Sequence, residues 1–143
     1  MSDGTNYMKY GVVGVMVLGI GLVAWRNFGP SDESARSAQI VAPPQLSAAA
    51  SLGKKGYDDN CAQCHGGNAA GTDKGPPLVH AYYNPGHHGD EAFYMAVARG
   101  VRQHHWRFGN MPPQPQVTQG QAQMIIAYVR EVQVANGITY QPH

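Results

Sequence analysis

The run NCAQCHGG, residues 60–67, contains both cysteines of the chain, Cys61 and Cys64, with His65 directly behind them. Three chemistries use such a run: a reducible dithiol, part of a metal site, or two thioether anchors for a porphyrin. Each demands a different fold. A redox C-x-x-C follows a strand in a βαβ context. A structural zinc site needs four ligands. A thioether-held macrocycle is itself a large apolar body around which helices pack.

Composition narrows the choice. At 143 residues the chain is one domain's worth of protein. Ten Lys and Arg against nine Asp and Glu give a net charge of +1, so there is no nucleic-acid footprint. Only 13% of residues are charged, while 18 are Gly and 10 are Pro. A domain so rich in loop backbone buries a modest core and needs a staple. A Cys61–Cys64 disulfide would close a tiny loop and constrain little.

The N-terminus differs in kind. Residues 10–25, YGVVGVMVLGIGLVAW, carry no charge, with Lys9 before and Arg26 after. Tyr7, Tyr10, Trp25 and Phe28 put aromatic rings near both ends, as membrane interfaces prefer. A bilayer core takes about 20 apolar residues, so this stretch spans only with snorkelling of its flanks or slight thinning. It is expected to be an uncleaved signal-anchor over residues 1–28. The rivals are a cleaved signal peptide, whose best small-residue site (Ala35–Ser37) lies well beyond the apolar run, and a buried soluble helix. Lys9 and Arg26 balance, so charge does not orient the segment.

Residues 29–46 are polar, Ala/Ser-rich and end in a Pro pair, Pro43–Pro44, which reads as a flexible linker. The domain proper is expected at 47–143. Ser47 is a plausible N-cap for a helix leading into Cys61, weakened locally by Gly53 and Gly56 at about 1 kcal/mol each. Gly53 makes sense if another helix crosses closely there. Residues 69–89 read as loop. DEAFYMAVARGV, 90–101, is helical, with Phe93, Ala96, Val97 and Val101 on one face and Asp90 and Glu91 in the first turn. Residues 102–117 read as loop again. Thr118 and Gln121 form a capping box for a last helix whose apolar stripe is Ile125, Tyr128, Val129 and Val132. Three short helices with no strand signal make an all-α domain whose middle something large and apolar must fill.

C-x-x-C-H, Cys61 to His65, is the attachment signature of a c-type haem. Two sulfurs three positions apart reach one porphyrin edge, and the adjacent imidazole meets the iron from one face. No strand precedes the motif and no second C-x-x-C exists, so the dithiol and the zinc site are the weaker rivals. Met111, in FGNMPP and 46 residues after His65, is the candidate sixth ligand because Pro112 and Pro113 stiffen its backbone. Met95, Met124, a histidine and an open site are the alternatives. Met/His ligation raises the potential and saturates iron, favouring electron transfer over substrate chemistry.

Together, GKKGYDDNCAQCHG, GPPL, GNMPP and IIAYVREV resemble class I cytochrome c over roughly Ser47 to Asn136. The resemblance implies an all-α fold of three or more short helices around one covalent haem c, here preceded by one N-terminal transmembrane helix. It implies that Gly53 and Tyr57 on the first helix of the domain pack against Tyr128 on the last. It implies that the Pro76 carbonyl holds the His65 ring and that Leu78 lines the haem pocket. The cofactor-binding set is then Cys61, Cys64, His65, Met111, Pro76, Leu78, Trp106 and Arg99, with His65 and Met111 as the iron ligands.

Five of the seven histidines lie between His80 and His105, which the simplest members of that family lack. They read first as a polar loop over the haem propionates, with Trp106, Arg99, Arg102 or Arg107 as donors. Since adjacent His side chains are expected to point apart, neither His87–His88 nor His104–His105 reads as a ready chelate. A second metal site, copper most naturally, and a pH-responsive docking surface are the other readings.

The resemblance further implies haem attachment outside the cytoplasm. That orients Met1–Lys9 to the cytoplasm and the haem domain to the periplasm, in a single-pass protein of a bacterial inner membrane. The expected function is electron transfer rather than catalysis, as a shuttle or as a subunit of a respiratory or photosynthetic chain. The implied partners are a quinol-oxidising complex, a terminal oxidase, a reaction centre or a periplasmic reductase. A haem sensor or enzyme subunit with an exchangeable sixth ligand, and a metal-handling module built on the His pairs, are the alternatives.

Overall fold

The computed structural model describes residues 4–28 and 39–142, with side chains described from residue 10 to 26 in the first stretch. The chain divides into two units, Met1–Ser31 and Asp32–His143.

The first unit is one helix, α1, Gly4–Phe28. Every described side chain on it is exposed, including Val12, Leu18, Ile20 and Leu22, so apolar groups face outward all round. Among the described residues no helix is long and apolar enough to cross a membrane. The side chains of Tyr7, Lys9 and Phe28, used above as flanks, lie outside the described residues, as do linker positions 29–38 with the Ala35–Ser37 site.

The second unit is built from α2 (Ala48–Asn60), α3 (Ala62–His65), α4 (Asp90–Arg99) and α5 (Gln119–Ala135). Short 3-10 turns at Gly67–Ala69 and Ala81–Tyr83 interrupt the loop between α3 and α4. Both expected caps form. Ser47 Oγ accepts from Ala50 N at 3.1 Å, and the Thr118–Gln121 capping box is complete.

The main packing is α2 across α5, and Gly53 is what permits it. A Cβ at Gly53 would stand 1.8 Å from the Met124 carbonyl oxygen, so only glycine lets the two backbones approach this far. One turn on, Tyr57 meets Tyr128 with ring centroids 5.3 Å apart. The apolar stripe expected on α5 is buried in full: Ile125, Tyr128, Val129 and Val132 join Ala50, Tyr57, Ala69, Val117 and Ala122 in one core.

The stretch read as linker is not all free chain. Ile40 and Leu46 pack against the core. Asn136 clasps Val41 by accepting from its N–H at 2.9 Å and donating to its carbonyl at 2.8 Å.

α4 ends two residues before the expected position. Gly100 takes φ +74°, and a Cβ there would meet the Met111 carbonyl at 2.4 Å. Val101 leaves the helix and pairs with Met111 in an antiparallel bridge, with both N–H···O bonds at 3.0 Å. The loop reading of 102–117 missed this bridge because a single residue pair leaves no periodicity. No residue of α4 is fully buried. Phe93 and Val97 are only half-buried although they point inward, because the space before them is a cavity.

Candidate haem site

The cavity measures about 440 Å³, within the range of cofactor and ligand pockets. Its wall is mostly apolar: Leu78, Phe93, Val97, Ile125, Ile126 and Val129 face it. Cys61, His65, Pro76, Met111 and Trp106 line it as well, from four separate stretches of chain. Cys64 is exposed and Arg99 is exposed, and neither is on the wall. Arg102, three residues past Arg99, is on it.

Why His65 stands where it does can be followed along the chain. α3 is one turn long and ends at Gly66, whose φ of +75° turns the backbone away. Tyr57 Oη donates to the Gly66 carbonyl at 2.9 Å, fixing that turn to α2. Gly71 N donates to the His65 carbonyl, and Thr72 Oγ1 to the Cys64 carbonyl. The loop thus returns beneath the motif and brings the Pro76 carbonyl within 2.9 Å of His65 Nδ1. A carbonyl only accepts, so Nδ1 carries the hydrogen and Nε2 keeps a lone pair. Burial pushes the His65 imidazole below its ordinary pKa, and the Pro76 contact opposes part of that fall. A neutral ring with a free Nε2 is what an iron ligand requires.

The bridge to Val101 holds Met111 on the wall by its backbone. Gln114 N then donates to the Val97 carbonyl at 2.7 Å, tying the chain after the proline pair to α4. Met95 also lines the cavity, from a helix, whereas Met124 is exposed on α5.

The cysteines form no disulfide. Burial, with the Cys64 thiol adding to it, pushes the Cys61 thiol up to about 11. A redox dithiol needs a depressed pKa, so Cys61 is in the wrong surroundings for one. Thioether formation is compatible with burial, because the product carries no charge.

One polar group on the wall points to a cofactor. Trp106 Nε1 is buried and has no acceptor in hydrogen-bonding geometry. The Tyr83 phenol, pushed up by burial, is drawn partly back by Trp106. Buried donors in native proteins are satisfied, so this one calls for an acceptor supplied from within the cavity. An apolar slot with thiol, imidazole and thioether groups on its wall and one unmet donor fits a haem.

Sequence reasoning missed how the loop around the site is held. Arg130 on α5 donates to the carbonyls of Tyr83 (2.8 Å) and His88 (2.6 Å), to Gln133 Oε1 (2.7 Å) and to Asp90 Oδ1 (2.8 Å). Its guanidinium also lies 4.7 Å from the centre of the Phe93 ring. Gln133, fully buried, donates to the Leu78 and Tyr83 carbonyls. The spacing Ile126, Arg130, Gln133 was legible as one face of α5, but an arginine there reads as exposed.

The histidines converge. The rings of His87 and His88 lie 4.5 Å apart, those of His104 and His105 4.3 Å apart, and His87 Nε2 is 3.2 Å from His105 Nε2. The expectation that adjacent rings point apart holds for an extended chain, whereas His87 and His88 close a turn and the chain bends at His105. Asn84 Oδ1 accepts from Gly86 N and His87 N, and the Asn84 carbonyl from His88 N, which curls that turn tightly.

A cbb3-type cytochrome c oxidase subunit FixP from Sinorhizobium medicae (strain WSM419) is 37% identical over 110 residues, covering 73% of this chain. The chain spans 37% of that relative's length. No solved structure matches it. The cytochrome c family pattern matches residues 50–133, a span that takes in Cys61, Cys64, His65 and Met111. The chain belongs to the cytochrome c family, as a class I single-haem member with a covalently attached haem c.

Proposed function

We propose that this protein is a membrane-tethered carrier of single electrons at the periplasmic face of a bacterial inner membrane, serving a respiratory or photosynthetic chain. Cys61 and Cys64 would hold the haem covalently, and His65 and Met111 would ligate its iron. The observation that carries this reading is that His65 and Met111 line the same apolar cavity, the His65 ring held by the Pro76 carbonyl and Met111 by its backbone bridge to Val101. A haem so ligated supplies a reversible Fe(II)/Fe(III) couple at a raised potential.

The chain's own residues do the rest. The Pro76 carbonyl keeps the His65 proton on Nδ1. Leu78, Phe93, Ile126 and Val129 keep water from the iron. Trp106 would donate to a haem carboxylate and Arg102, which lines the cavity where Arg99 does not, would pair with its charge. A Met held by a backbone bridge does not leave easily, which disfavours a sensor or enzyme with an exchangeable ligand.

The tether reading rests on α1. A helix apolar on every face belongs inside a protein or a bilayer. Covalent haem attachment outside the cytoplasm orients it, with residues 1–9 inside. Tethering raises the haem's effective concentration near membrane partners. Likeness to a cbb3-type oxidase subunit favours a terminal oxidase as one partner, with a quinol-oxidising complex as donor; a reaction centre or a periplasmic reductase would suit a different chain. The same likeness favours a second form of the reading, in which this chain is a fixed subunit of such a complex.

Potentiometric titration of the detergent-purified protein, followed by exposure of the reduced form to carbon monoxide, tests the proposal. One electron per chain with no rapid carbon monoxide adduct is expected. Prompt adduct formation would overturn the carrier role in favour of an open-site haem protein. Separation under mild detergent then distinguishes a free shuttle from a subunit that stays with an oxidase.

A further inference from the structure

His87, His88 and His105 each offer a ring nitrogen, and these nitrogens lie within 4.8 Å of one another. They come from two loops, one before α4 and one after it, so no local sequence spacing announces the set. Two nitrogens bound tetrahedrally to one ion at about 2.0–2.1 Å are about 3.3 Å apart. His87 Nε2 and His105 Nε2 stand at 3.2 Å, already at that separation.

The third ring is held from behind. His88 Nδ1 is 2.6 Å from the Tyr82 carbonyl, which fixes the hydrogen on Nδ1 and leaves Nε2 with its lone pair. Metal-binding histidines are oriented by this device, and His65 uses it too. The backbone of His88 is pinned by Arg130, and the His105 ring stacks on Tyr82 with centroids 4.6 Å apart. His104 lies next to the set, 4.3 Å from His105 ring to ring, with its own Nδ1 bound to the Arg102 carbonyl at 2.9 Å. Its Nε2, or a water, can supply a fourth ligand. His88 and His105 line the haem cavity, whereas His87 is exposed, so an ion has a path in from solvent.

We propose that His87, His88 and His105 form a second metal site at the edge of the haem cavity, for a divalent late transition ion, with Cu(II) bound more tightly than Zn(II). Three imidazoles with neither carboxylate nor thiolate among them suit Cu and Zn and disfavour Mg, Ca or an iron–sulfur cluster. The order Cu(II) above Zn(II) is the general one for such donors. Copper retention and the haem's redox titration are separate readouts, so failure of the site and failure of the carrier role are distinguishable.

The test uses the full-length holoprotein in detergent. After incubation with Cu(II) and desalting, copper and haem are counted, and the Cu(II) electron paramagnetic resonance spectrum is recorded. One copper per haem is expected, with hyperfine structure from bound nitrogens. His87→Ala, at the exposed member of the set, should weaken binding at least tenfold while leaving the haem spectrum unchanged, and His105→Gln should weaken it likewise. Failure of the wild type to retain stoichiometric copper would overturn the site, and so would equal retention by both variants. A variant that loses its haem spectrum is replaced by His88→Gln, which keeps the ring-sized bulk and must show the same loss of copper.

Discussion

Met111 owes its place to main-chain geometry. Two hydrogen bonds to Val101, and a glycine at 100 that alone tolerates the Met111 carbonyl so close, bring its side chain to the wall. Replacing Met111 with Ala should therefore leave the fold and the covalent haem in place. It should open the sixth site: the reduced variant should bind carbon monoxide and its potential should fall. Tyr57 acts differently, through its hydroxyl bond to the Gly66 carbonyl next to His65. Tyr57→Phe should cost about 0.5–1.5 kcal/mol, read as a lower denaturation midpoint with an unaltered haem spectrum. At this scale the sequence was most legible where chemistry is local. Cys61, Cys64 and His65 fall in one short run, and Met111 was marked by its prolines. Arg102 was legible only as one of four candidate donors. That it lines the cavity while Arg99 does not follows from where α4 stops, and that end is set by the bridge to Met111 rather than by the helix's own residues.

Elements meet in ways that single residues permit or forbid. α2 and α5 cross at Gly53 with no room for a methyl group. Gly53→Ala should push the helices apart and cost about 1–3 kcal/mol, enough to lower the melting temperature by several degrees. The loop between α3 and α4 has little regular structure and depends on Arg130 and Gln133 reaching across from α5. Arg130→Met keeps the packing on Phe93 but leaves the Tyr83 and His88 carbonyls without their charged donor. It should destabilise by about 2–3 kcal/mol and weaken copper retention, because His88 is released. The caps at Ser47 and Thr118 and the stripe on α5 were readable because they repeat at helical spacing. The Val101–Met111 bridge and the His87–His88–His105 convergence were not, since each joins positions far apart in sequence and shows no period.

As a whole molecule, the protein combines a helix that is apolar on every face with a domain whose core is incomplete without its cofactor. Stripped of haem, the domain should lose its cooperative melting, because Phe93, Val97 and Ile126 would border an empty slot. In cells, alkaline carbonate washing should leave the protein in the membrane fraction if α1 is an anchor; release into the wash would contradict the tether. The central claim is narrower than either: one haem iron held between His65 and Met111. The near-infrared spectrum of the ferric protein reads this most directly, through the charge-transfer band of a methionine sulfur bound to iron. The band should be present in the wild type and absent from Met111→Ala. A wild-type spectrum without it, or a Met111→Ala spectrum that retains it, would contradict the account.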